Sequence, residues 1–158
     1  DLLFWLCVKS GAKNIVDIGV GHSTTSFALA AKRNGGRLFS TDIGTQYDLD
    51  VKECYDIWDH MLGHDSVEVG KLYNVAERGY IDFLYLDTSH TYEQTLKELE
   101  IWMPHMKLGG WFVLHDVNSC MSTVFRAVSD YIIKVNDVNI EYHHYPYAYG
   151  FGILIRRK

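Results

Sequence analysis

Five short runs rich in β-branched and aromatic residues alternate along this chain with stretches of helical periodicity: NIVDIG (14–19), RLFSTDI (37–43), SVEVG (66–70), IDFLYLD (81–87) and WFVLHD (111–116). Runs of this length bounded by turn residues read as strands. Most are apolar at both alternate positions, as strands covered on both faces must be. Strands alternating with helices imply right-handed crossovers and a parallel sheet with helices on both sides. The end of the chain breaks that rhythm. NIEYHHY (139–145) and FGILIRR (151–157) are separated only by PYAYG, too short for a parallel crossover, so they are predicted to form an antiparallel hairpin.

The helical patterns supply the covering layers. Residues 23–33 carry a hydroxyl N-cap candidate at the start, Lys32 and Arg33 in the last turn, and Asn34-Gly35-Gly36 as a stop. Tyr92, Leu96, Leu99, Met103 and Met106 share one face, with Glu93, Lys97, Glu98 and Glu100 expected away from it. Thr91 and Gln94 are expected to form a capping box, with Gly109-Gly110 as the exit. Met121, Val124, Val128, Tyr131 and Val135 predict a third helix, and Cys54, Trp58, Met61 and Leu62 a fourth between the second and third strands. With no repeat, no low-complexity linker and 47% hydrophobic residues in 158, residues 1–158 are expected to form a single domain around one core.

Composition removes several function classes. Fifteen basic against twenty acidic residues give a net charge of −5, and no Lys/Arg cluster could neutralise a row of phosphates, so nucleic acid is not expected as a partner. No apolar stretch approaches the roughly 20 residues needed to span a bilayer, and the first residues lack the basic flank of a signal peptide. The expectation is a cytoplasmic protein without a membrane partner. Cys7, Cys54 and Cys120 are scattered and in no metal spacing, so they are read as reduced thiols. The chain starts without methionine and enters an apolar pattern at Leu2, which suggests further sequence upstream.

In open α/β sheets ligands bind beyond the carboxyl ends of the strands, and here those ends are repeatedly acidic: Asp17, Asp42, Asp87 and the pair His115-Asp116. Carboxylates gathered at one edge repel one another unless cations or donors lie among them. DIGVGHST (17–24) has the Gly-x-Gly of a nucleotide-binding turn, with Gly19, Val20, Gly21, His22 and Ser23 leading into a helix. Thr24 stands where a dinucleotide fingerprint has its third glycine, which argues against a pyrophosphate and an NAD-dependent reaction. Asp17 could hold an ammonium group, directly or through water. Asp42, 21 residues beyond Gly21, is spaced to accept hydrogen bonds from a ribose diol, with Ile43 beside it.

An ammonium, a ribose and no phosphate describe S-adenosylmethionine, and here the sequence resembles the class I S-adenosylmethionine-dependent methyltransferases over nearly its whole length. The family's D/E-x-G-x-G turn is matched by Asp17, Gly19 and Gly21, and its ribose acid by Asp42. Its terminal antiparallel hairpin is matched by the last 20 residues. Within the class, LYLDTSHTYEQTLKELEIWMPHMKLGGWFVLHD resembles small-molecule O-methyltransferases with a D-x-x-H-x-Y-E turn, including cephalosporin hydroxylase-like and catechol O-methyltransferase-like proteins. The resemblance implies a Rossmann-like α/β fold, a seven-stranded mostly parallel sheet of order 3-2-1-4-5-7-6 with a C-terminal antiparallel hairpin and helices on both faces. It also implies S-adenosylmethionine as cofactor with S-adenosylhomocysteine (SAH) as product, Gly70 and Lys71 near the adenine, and Asp87 near the methyl group.

Two routes to activating a substrate hydroxyl stay open. Asp87 and Asp116 match two ligands of the Mg2+ of catechol O-methyltransferases. His115 stands where some metal-dependent relatives carry an acid, and imidazole suits manganese, iron or zinc better than magnesium. Alternatively His90, three residues after Asp87, is a general base, for which its ordinary pKa is suited. The expected function is O-methylation of a small hydroxylated metabolite or sugar; the alternative is a non-catalytic S-adenosylmethionine-binding domain serving as partner subunit or sensor. Without a long insertion after the fifth strand, the substrate pocket is expected to be open, shared across a homodimer, or completed by residues upstream.

Overall fold

The computed structural model describes residues 2–47, 49, 51–118, 123–136, 139–146 and 149–157. Four of the five strands expected in the parallel part occupy their places, β1 (Asn14–Ile18), β2 (Arg37–Asp42), β4 (Ile81–Leu86) and β5 (Met106–His115), as do both strands of the terminal hairpin. With β3 (Trp58–Leu62), β6 (Ile140–Tyr145) and β7 (Phe151–Arg156) they form one sheet of order β3-β2-β1-β4-β5-β7-β6. The first five strands run parallel, and β7 enters antiparallel between β5 and β6. This is the Rossmann-like class I methyltransferase topology that the resemblance implied.

The period of two along each strand divides the core. Val16, Leu84, Leu86, Phe112, Leu114 and Leu154 face one layer, containing α3 (Ser66–Leu72), α5 (Tyr92–Trp102) and α6 (Thr123–Val135). Ile15, Phe83, Tyr85, Val113, Ile153 and Ile155 face the other, containing α1 (Leu2–Ser10) and α2 (His22–Asn34). Helix α2 ends as predicted, on Gly35 in the left-handed conformation, which costs glycine nothing. Its N-cap is Gly21 and not a hydroxyl residue, because Thr24 in the first turn reaches back to the Gly21 N–H. A short helix, α4 (Val75–Arg78), leads into β4.

The third strand corrects the expectation. SVEVG forms α3, and the strand is the segment expected to be helical, Trp58–Leu62. Asp65 decides the first point: its carboxylate accepts from the Val67 and Glu68 N–H groups at the helix N-cap, which outweighs the Val67/Val69 alternation. The second follows from position. β3 pairs only with β2, so this edge strand keeps Asp59 and His60 exposed and lacks an apolar run.

Helix α5 departs from its predicted form at both ends. Thr91 is its N-cap without a side-chain bond to the helix backbone, and Gln94 donates to Asp65, Ser66 and Glu98 in place of a capping box. Gly109 and Gly110 lie inside β5, which starts at Met106. Glu98, expected on the solvent face, is fully buried. In α6, Val124, Val128 and Tyr131 are buried as expected and Val135 is exposed, while Met121 lies outside the described residues. Among the described residues no helix is long and apolar enough to cross a membrane.

Candidate active site at the carboxyl edge of the sheet

The turn after β1 is built by close backbone approach. Gly19 has φ +100°, and a Cβ there would meet the Asp87 carbonyl oxygen at 1.8 Å. Asp42 fastens the turn to β2: Oδ2 accepts from the Val20 N–H at 2.8 Å and Oδ1 from the Gly44 N–H at 2.7 Å. The Gly21 N–H donates to Thr24 Oγ1 at 3.0 Å, and that hydroxyl donates to Asp17 Oδ2 at 2.6 Å. Asp17 has no solvent exposure, and burial pushes its carboxyl up to about 8 against the opposing hydrogen bond from Thr24. It therefore lies beneath the turn, holding it through Thr24, and does not line the cavity. His22 and Ser23 stand in the first turn of α2, also outside the cavity lining.

A cavity of about 430 Å3 opens over these strand ends, a volume suited to a nucleoside-sized ligand. Gly19, Asp42 and Ile43 form one side, Asp87, Thr88 and Ser89 another, and Asp65, Ser66, Gln94 and Glu98 the far end. Glu98 links the two loops flanking that end. Its Oε1 accepts from the Ser66 hydroxyl and from Gln94 at 3.2 Å, and Oε2 accepts from the Thr88 hydroxyl at 3.0 Å. Burial raises the Glu98 carboxyl despite these three donors.

Gly70 and Lys71 do not reach the cavity. Gly70 is packed against Ile101, whose Cγ2 a Cβ would meet at 2.1 Å, and Lys71 pairs with Glu68 at 2.6 Å in solvent. With the third strand displaced toward the N-terminus, Asp65 and Ser66 follow it and line the cavity. Their signal was an Asp-Ser pair opening a helix, obscured by the valines after it.

Asp87 is shared between the cavity and a second group of side chains. His90 Nε2 lies 2.9 Å from Asp87 Oδ1 and 3.4 Å from Asp116 Oδ2. His115 Nδ1 lies 3.3 Å from Asp87 Oδ1 and 3.4 Å from Asp116 Oδ1, yet makes no hydrogen bond of ordinary geometry. Burial alone would raise the Asp87 carboxyl, but the close approach of His115 and the hydrogen bond with His90 hold it well below the usual carboxylate range. The contact with Asp87 raises His90 against its partial burial, and the same contact raises His115. His90 and Asp116 both adopt left-handed backbone, φ 54° and 56°, a conformation non-glycine residues hold only where surrounding contacts impose it. Asp87, His90 and His115 each offer one ligand atom, all within 4.8 Å of one another. The sequence named all four residues because Asp87, His115 and Asp116 close or directly follow a central strand and His90 follows Asp87 by three positions.

A family model described as a methyltransferase domain matches residues 16–117. No curated protein sequence gives a significant match. Among solved structures, an O-methyltransferase from Bacillus cereus in complex with SAH superposes with a TM-score of 0.74 at 16% identity, covering 99% of this chain and 79% of that one. The SAH-bound Podospora anserina methyltransferase PaMTH1 gives 0.69 at 10% identity, covering 99% and 77%. The MycE methyltransferase of the mycinamycin pathway, in complex with Mg, SAH and mycinamycin VI, gives 0.67 at 16% identity, covering 91% of this chain and 44% of that one.

Proposed function

This chain belongs to the methyltransferase-domain family, and from that premise we propose that it transfers a methyl group from S-adenosylmethionine to a hydroxyl of a small metabolite or sugar. The observation that carries the reading is the division of one edge into two connected parts. The cavity has a Gly-rich turn and a strand-end acid, Asp42, on one side, and Asp87 leads from it into the His90, His115 and Asp116 group. A ribose diol on Asp42 directs the sulfonium toward Asp87. Two structures of the same fold are solved with SAH bound, which supports the choice of cofactor.

Methyl transfer is a direct displacement. A lone pair on the substrate oxygen forms the new bond to the methyl carbon, the S–C bond electrons return to sulfur, and SAH leaves as a neutral thioether. The hydroxyl proton must depart toward the strand-end group, of which His90 has the most exposed side chain. Alignment of oxygen, carbon and sulfur supplies most of the acceleration, since charge cancels along the path. A divalent ion held there by Asp87 and its neighbours would lower the pKa of the attacking hydroxyl. A domain that only binds the cofactor has no use for two imidazoles and two carboxylates beside the methyl position, which favours catalysis over a sensor role.

The deciding experiment is calorimetric titration with SAH, followed by a methyl-transfer assay against catechol, sugar and simple alcohol acceptors. Micromolar SAH binding with turnover on any of these supports the proposal; absence of SAH binding rejects it.

A further inference from the structure

We propose that Asp17 is a specificity-determining residue that distinguishes S-adenosylmethionine from SAH: it gives up a proton when the cationic cofactor binds and keeps that proton beside the thioether of the product. The inference rests on the cofactor reading above and adds to it the group that senses the charge on sulfur.

Asp17 is placed to hold a proton. Its side chain is fully buried, Oδ1 has no hydrogen-bond partner, and Oδ2 accepts from the Thr24 hydroxyl at 2.6 Å. Both neighbouring strands add negative charge nearby, Asp42 at the end of β2 and Asp87 directly after β4. The other groups facing it are Ser40 on β2 and Tyr85 on β4, both level with it in the sheet, and Thr24 on α2. None of the three brings a positive charge, and the Ser40 hydroxyl already accepts from the Trp58 indole. A buried carboxylate with carboxylate neighbours and no cation beside it neutralises by taking up a proton. Burial accordingly pushes this carboxyl up to about 8.

Asp17 is also placed to feel the cofactor. The next two residues, Ile18 and Gly19, line the cavity, as do Asp42 and Asp87 on the flanking strands. From beneath that wall Asp17 acts through its field and not by contact. The two forms of the cofactor share adenosine, ammonium and carboxylate groups, and differ by the methyl group and the positive charge it gives to sulfur. At an effective dielectric of about 20, a unit charge roughly 8 Å away moves a carboxyl by about one pKa unit or more. The sulfonium therefore draws the proton off Asp17 near neutral pH, and loss of the methyl group lets it return. By the same linkage, ionised Asp17 holds the sulfonium about tenfold or more tightly than protonated Asp17 does, and adds no such preference for SAH.

The sign fixes the pH window. Below about pH 6 Asp17 is protonated in both complexes and contributes nothing to the choice between them; above about pH 9 it is ionised in both and the full preference for S-adenosylmethionine is present. The preference therefore rises with pH between these limits. His90 and His115 stand beyond Asp87, and Glu98 is a second buried carboxyl at the far end of the cavity, all three raised by their surroundings. These groups and the cofactor's own amino group are unchanged by Asp17→Asn, so the difference between wild type and that variant belongs to Asp17.

The test is calorimetric titration of the full chain with S-adenosylmethionine and with SAH, without an acceptor, in buffers of different ionisation enthalpy, which counts the protons released. At about pH 7, wild type should release about half a proton more than Asp17→Asn on binding S-adenosylmethionine, and little more on binding SAH. Between about pH 6 and 8.5, the ratio of the SAH to the S-adenosylmethionine dissociation constant should rise by about tenfold in wild type relative to the variant. Infrared difference spectra of wild type give a reading that needs no variant: a protonated-carboxyl band is lost with S-adenosylmethionine and retained with SAH. Equal proton release from wild type and Asp17→Asn, or a carboxyl band that S-adenosylmethionine leaves unchanged, overturns the proposal and leaves the cofactor reading standing. Failure of both ligands to bind overturns the two together.

Discussion

Gly19 lies directly against the backbone carbonyl of Asp87, close enough that a methyl group on Gly19 would sit 1.8 Å from that oxygen. This contact joins the turn that opens the cavity to the residue that closes it. At φ +100°, Gly19→Ala meets both a backbone clash and a forbidden conformation. A backbone atom cannot rotate away as a side chain can, so the loops must separate. The expected outcome is a loss of about 2 kcal/mol or more in urea unfolding, together with loss of SAH binding. Retained affinity at full stability would show that the two loops yield freely.

Asp42 spends its two oxygens on the Val20 and Gly44 N–H groups while lining the cavity. A carboxylate has lone-pair sites for more than two donors, so a ribose diol can share it. Asp42→Ala should weaken SAH by about tenfold or more, the loss expected for charge-assisted hydrogen bonds. Calorimetry on the folded variant checks this; unchanged affinity removes Asp42 from the ribose role.

Legibility in the sequence followed burial. The strands β1, β4 and β5 have neighbours on both sides, so they carry apolar runs that end abruptly in Asp17, Asp87 or His115-Asp116, and that ending is itself the signal. β3 has one neighbour and needs no such run, so WDHML passed for helix and the capped SVEVG for strand. That exchange put the expected contact after the third strand at Gly70 and Lys71, whereas Asp65 and Ser66 line the cavity. Glu98 was hidden for a different reason. Helical periodicity puts it on the polar face of α5, and only the arrival of Ser66 and Thr88 from two distant loops turns that face into an interior.

Asp17 makes stability depend on pH. The unfolded carboxyl titrates near 3.8 and the folded one at about 8, so between these values the folded state holds a proton that the unfolded chain has lost. Stability from this group is fully present below about pH 4 and declines as pH rises toward 8. Asp17→Asn cannot ionise and can still accept from Thr24. Relative to wild type, the variant should gain on the order of a few kcal/mol between pH 5 and 8.5, read from parallel urea titrations. A difference independent of pH would mean that Asp17 is charged throughout.

Glu98 is a buried carboxylate that touches both segments at the far end of the cavity, and two substitutions separate its roles. In Glu98→Ala the Ser66 and Thr88 hydroxyls and the Gln94 amide lose their acceptor inside the protein. Unfolding should become easier by about 2–4 kcal/mol, and SAH binding weaker by about tenfold or more if these loops position the base. Glu98→Gln keeps the volume and one acceptor oxygen, and the Thr88 hydroxyl can turn to accept from the new amide. It should cost about 1 kcal/mol or less and leave most of the affinity. Denaturation and calorimetry on both variants give the test. If alanine lowers stability while SAH affinity stays at the wild-type value, Glu98 serves folding alone; if glutamine loses as much affinity as alanine, it is the negative charge, and not the shape of the network, that the cofactor meets.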